Sequence, residues 1–123
     1  MAGERKVFNS KRKQGSISFG LDTDDGEVSY YVMKMTCAQT SDWTDFVRQN
    51  TEEVVGEDGK KMIQAKTTKN WKETLLSLSV VDAQYQPLSI EHFNGWTPEA
   101  VTEAYKLAEK HNFPDAEVEK KES

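Results

Sequence analysis

One thiol, Cys37, and two imidazoles, His92 and His111, are the only soft or near-neutral metal ligands in this chain. A zinc site takes about three or four such ligands at close spacing, and neither Cys-x-x-Cys nor His-Glu-x-x-His occurs. A cysteine nucleophile needs a base or an electropositive pocket to form thiolate. Cys37 falls at the start of a predicted helix, which favours the anion, yet its surroundings in the sequence are apolar and offer no base. Asp22-Thr23-Asp24-Asp25-Gly26 has the form of a calcium loop for five residues and then departs from it. The sixth position, where that loop needs glycine, is Glu27, and the twelfth, where a bidentate acid closes the shell, is Met33. A polar hairpin turn accounts for the run better. Gly15, Gly20 and Gly26 lack the spacing of a phosphate loop and its following Lys-Ser or Lys-Thr. Carboxylates are plentiful, but no apolar pocket marks one of them as a general acid. The expectation is therefore a binding protein and not an enzyme, with no catalytic residue, metal site or cofactor assigned.

Binding places the weight on aromatic side chains. Trp43, Trp71 and Trp96 are many tryptophans for 123 residues. Tryptophan is enriched at binding hot spots, but in a small domain each one also supplies much of the core. Trp43 and Trp71 are expected in the core, and Trp96, just before the cap of the last helix, is expected with Phe93 in a partly exposed patch.

The elements that must position these groups follow from periodicity. Residues 16–22 alternate Ile17, Phe19 and Leu21 with Ser18 and Gly20, a half-buried strand. Thr23 to Gly26 supply turn residues, and residues 27–35 resume with Val28, Tyr30, Tyr31, Val32 and Met33, so a β-hairpin is predicted whose one face packs on helices. Over residues 36–50 the period changes. Thr36 with Gln39 has the form of a capping box, and Trp43, Phe46, Val47 and Asn50 fall at helical spacing, so the first helix should bury Trp43 and Phe46. Residues 54–66, with Gly56-Glu57-Asp58-Gly59-Lys60 between two short apolar patches, read as a mobile loop in preference to a small second hairpin.

A second helix is predicted over about residues 68–81 on the spacing of Trp71, Leu75, Leu78 and Val81. Residues 82–87 then turn, because Pro87 restricts Gln86. A single helical turn capped by Ser89 ends at Gly95. The last helix has Thr97 as cap, Pro98 at its first position, an inward stripe of Val101, Ala104, Tyr105 and Ala108, and Asn112 and Pro114 as its stop. The fold class is α+β: an N-terminal β-hairpin packed on a small bundle of three to four helices.

Length bounds the organisation to one domain. Charged residues are 30% of the chain and mean hydropathy is −0.78, wet but rich enough in large apolar side chains to fold. The first fourteen residues hold five cations against Glu4, a net +4 that leaves −9 on the rest of a chain of net −5. Residues 1–14 are read as a basic flexible leader, 15–113 as one α+β domain and 114–123 as a disordered acidic tail. Clustered Lys and Arg in the leader could meet the phosphates of a nucleic acid, but without an aromatic platform or recognised nucleic-acid fold behind it a solvated terminus is the preferred reading. The longest apolar stretches, such as residues 75–81, fall far short of the ~20 residues of a membrane span. No secretory signal is evident and the single cysteine suits a reducing compartment, so the expected location is cytoplasmic.

One family resemblance is carried by three stretches. Tyr30-Tyr31-Val32-Met33-Lys34-Met35-Thr36, followed by a helix led by Cys37-Ala38-Gln39 and a variable loop, resembles a tail assembly chaperone of long-tailed bacteriophages. So does the leucine-rich helix with its Asp-containing turn, Leu75 to Leu88, and so does the short turn from Ile90 to Trp96 leading to a final amphipathic helix. The resemblance spans about residues 16–112 and includes no catalytic motif; the basic leader departs from it. It implies a chaperone in the host cytoplasm that keeps the helical tape-measure protein soluble, helps tail-tube subunits polymerise around it, and self-associates. If that role holds, Phe93, Trp96, Tyr105 and Leu107 are the residues expected to form a client or self-association face. A further implication is a frameshifted longer form of the protein, for which Glu119-Lys120-Lys121 could be encoded by a slippery GAA-AAA-AAG. The alternative is a structural tail or head-tail connector component that stays in the virion.

Overall fold

The computed structural model describes residues 5–67 and 69–114. It is an α+β structure with a β-hairpin at its N-terminal side and four helices. The expected leader residues 1–4, the proposed helix start at Thr68 and the tail residues 115–123 lie outside the described residues.

Strands β1 (Ile17–Thr23) and β2 (Gly26–Val32) pair antiparallel, from Ile17 opposite Val32 to Thr23 opposite Gly26. The tight reversal over Asp24 and Asp25 closes on Gly26, whose φ of +112° disfavours any side chain. Alternation puts Phe19, Leu21, Tyr30 and Val32 on the face that meets the helices, while Ser18, Gly20 and Ser29 face away.

A third strand, β5 (Val80–Asp82), pairs antiparallel with β2, giving the order β1-β2-β5. It corrects the expectation that the second helix runs to Val81: α2 (Trp71–Ser79) stops at Ser79, and Val80 is extended. Two β-branched residues in succession favour the strand, and β2 offers their backbone groups partners. Val80 sits opposite Val32, both fully buried, and Met33 N donates to Ser79 O at 2.8 Å. The buried Ser79 hydroxyl is satisfied by Leu75 O at 2.8 Å. After β5, Asp82 Oδ1 accepts from Gln84 N and Gln86 N, which fixes the expected turn.

Helix α1 (Cys37–Gln49) begins with the expected capping box: Thr36 Oγ1 accepts from Gln39 N, and Gln39 Oε1 accepts from Thr36 N. Arg12 extends the box, its Nη2 donating to Gln39 Oε1 and its Nε to Lys34 O. The end of the leader is thus attached to the domain. Helix α1 buries no residue; Trp43 and Phe46, expected in the core, are only half-buried.

The stretch read as a mobile loop is a second hairpin, β3 (Thr51–Val55) with β4 (Lys61–Ala65). Its Gly- and Asp-rich centre closes as a turn, with Gly56 N donating to Lys60 O and Gly59 at φ +79°. The apolar patches flanking it pair as Val54 with Met62 and Val55 with Lys61. Helices α3 (Ile90–Asn94) and α4 (Pro98–Asn112) start where expected, with Ser89 and Thr97 as side-chain caps and Pro98 in the first turn.

Tyr30, Val32, Leu75, Leu76, Val80, Phe93, Val101, Ala104 and Ala108 form the core between sheet and helices. Among the described residues from 34 to 74, none is buried. The segment that holds α1, β3 and β4 supplies no buried residue and meets that core through the partly buried Trp43, leaving after β2 and returning at α2.

Candidate protein-binding site

Two aromatic clusters form, and they differ in exposure. The first fills the space between the hairpin and α3. Phe19 stacks on Tyr30 at 5.7 Å, Trp96 meets Tyr30 at 5.0 Å, and Phe93 meets Trp96 at 4.9 Å. Tyr30 Oη lies 3.0 Å from His92 Nε2, so the phenol enters the core with its polar end satisfied. Burial raises its pKa, with Asp82 adding to the rise and a hydrogen bond with Trp96 opposing it. Phe93, assigned to a binding face, is fully buried; this is a correction, since the short α3 turns its ring onto the core. Trp96 remains half-buried.

The second cluster is open. Trp43 stacks on Phe46 at 5.5 Å, and Trp71 meets their ring edges at 5.9 and 5.3 Å. All three are half-buried: Trp43 packs against the core from its edge, and neither it nor Trp71 is fully buried. From Trp71 a groove of about 720 Å³ runs past Tyr105 and Ala65, with Lys69, Lys72 and Glu73 on its walls. Tyr105 has its hydroxyl pKa pushed up to about 12 by burial first, then by the charge of Glu109 and a hydrogen bond with it.

Of the four residues expected to form one face, only Phe93 and Trp96 come together. Tyr105 belongs to the Trp71 groove. Leu107, two residues further along a helix that turns about 100° per residue, points elsewhere and lines a shallow depression with Glu103, Lys106 and Lys110. Overlooked in the sequence were Val55, Met62 and Ile63, which are 68%, 54% and 77% exposed on the second hairpin. Their signal was present as two apolar pairs flanking a Gly-rich turn, the pattern of a hairpin that packs one face poorly.

Cys37 is exposed at the start of α1. His92 is engaged with Tyr30. His111, near the end of α4, has a buried Nε2 without a partner among the described residues, and burial followed by the charge of Lys34 lowers its pKa. No group of three or more His, Cys, Asp or Glu is placed to hold a metal ion among the described residues. No described helix is long and apolar enough to cross a membrane. Comparison with known families, with curated proteins and with solved structures found no match.

Proposed function

We propose that this protein is a non-catalytic assembly chaperone, of the kind that serves the tails of long-tailed bacteriophages in the host cytoplasm. The client is the helical tape-measure protein, which is held until tail-tube subunits surround it. The observations that support this reading are the open aromatic surface of Trp43, Phe46 and Trp71 and the exposed Met62 and Ile63 of the second hairpin. Side chains of that size left outside a core offer apolar area to a partner. A groove lined by Trp71 and Tyr105 suits the apolar stripe of an amphipathic helix, laid in at every third or fourth residue. The charged walls keep the complex in solution.

The test is coexpression with the tape-measure protein. Wild-type chain should hold that client in the soluble fraction. Met62→Asp with Ile63→Asp, exposed changes that alter stability by no more than about 0.5 kcal/mol each, should weaken binding at least tenfold. Equal client solubility with and without the protein would refute the chaperone reading. Stoichiometric presence in purified virions, read by mass spectrometry, would favour the structural tail component instead.

A further inference from the structure

The ribbon of β3 and β4 is open along both edges. At its ends Gly56 N donates to Lys60 O at 2.8 Å and Lys66 N to Asn50 O at 2.7 Å, and an antiparallel ladder bonds at every second pair between them. The bonded pairs are Glu52 with Gln64 and Val54 with Met62. The N–H and C=O groups of Thr51, Glu53 and Val55 therefore point outward on one edge, and those of Lys61, Ile63 and Ala65 on the other. Among the described residues, no backbone bond from outside the ribbon reaches any of these six. Unpaired strand edges of this kind are templates for a further strand.

Charge decides which edges can meet. Residues 60–66 carry Lys60, Lys61 and Lys66 and no acid, whereas residues 51–55 carry Glu52 and Glu53 and no cation. Two β4 edges paired antiparallel about Ile63 would set Lys60 of each copy against Lys66 of the other. Two β3 edges paired about Glu53 would set that carboxylate against itself. Like charges directly opposite one another destabilise a sheet, so neither two-fold pairing is favoured. A β4 edge laid against a β3 edge avoids both clashes. In the register the hairpin already uses, Ile63 of one copy meets Glu53 of the next, Lys61 meets Val55 and Ala65 meets Thr51, so all six outward residues find bonding partners. Lys61 then lies diagonal to a second Glu53 as it does to its own, with which it makes an ion pair at 3.6 Å. The exposed side chains of Val55, Met62 and Ile63 lose contact with water in the same step.

We propose that the ribbon of β3 and β4 is a self-assembly element, through which copies of this chain join head to tail, the β4 edge of one against the β3 edge of the next. The contact is heterologous, so it propagates into a ring or an open filament and does not stop at a two-fold dimer. Pairing over five residues holds weakly, so the dilute chain stays monomeric with both edges wet, and salt weakens the union further. None of this depends on the identity of the client.

The test uses the full chain and two proline variants. Glu53 and Ile63 face each other in a pair that exchanges no backbone bonds, so proline at either position removes an outward donor and leaves the hairpin's own ladder intact. By sedimentation at low salt, the average mass of the wild-type chain should rise past that of a dimer between about 10 μM and 1 mM. Ile63→Pro alone and Glu53→Pro alone should each stay monomeric. Their equimolar mixture should form a dimer and stop there, because each variant keeps the edge that the other lacks, a rescue that a misfolded hairpin could not give. A wild-type chain that stays monomeric at the upper concentration, or a mixture that stays monomeric, would overturn the proposal. So would either variant dimerising alone, which would assign the contact to two like edges.

Discussion

Asn112 does the work of a short strand with a single side chain. Its amide bonds Met35 N and Met33 O, and its Nδ2 also reaches Ala108 O at 3.1 Å, so the end of α4 is pinned to the exit of β2. Asn112→Ala strands half-buried main-chain groups and should cost about 1–3 kcal/mol, read from urea unfolding. Beside it, burial and then the charge of Lys34 lower the pKa of His111. Its folded pKa lies below the unfolded value near 6.5, so over that interval the unfolded chain binds the extra proton. Its contribution is full above the unfolded pKa and is lost as pH falls toward the folded one. His111→Gln should flatten the decline of the urea midpoint between pH 7 and 5; an unchanged decline would show that other groups govern it.

Among the elements, those with local signals were the ones legible in the sequence. Thr36 with Gln39, Ser89, and Thr97 with Pro98 each satisfy backbone groups within four residues of themselves, so no tertiary knowledge was needed to place three helix starts. Strand β5 was not legible, because Val80 and Val81 continue the spacing of α2 and only their pairing with β2, fifty residues earlier, turns them into a strand. Phe93 was misjudged for a related reason. One helical turn has too little periodicity to say which way a ring points, and the core formed by Tyr30 and Leu76 decides it. The second hairpin reads as a loop in the sequence, because Gly56 to Lys60 carry turn and loop residues alike and the flanking strands lack an apolar face wide enough to bury. That same shortage gives an expected outcome: a two-stranded ribbon is marginal alone, so amides of β3 and β4 should exchange with solvent far faster than those of β2, and client binding should slow them. Equal protection in the two hairpins would contradict the account of β3 and β4 as an outlying element.

For the whole molecule, the decisive feature is that every described core residue comes from before position 34 or after position 74. Met33 already bonds Ser79, and the nine residues of α2 span about 13 Å, a gap that roughly eight residues of Gly-Ser linker can cross. Replacing residues 37–66 by such a linker should leave a cooperatively unfolding domain with the near-ultraviolet signature of the Tyr30 and Trp96 cluster. Loss of cooperative unfolding would mean that α1 is integral to the body after all. The arrangement also bears on descent. Drift in the outlying arm meets little resistance from folding, so a lineage can rewrite what the arm grips, or acquire a replacement by recombination, while the body that carries it stays the same.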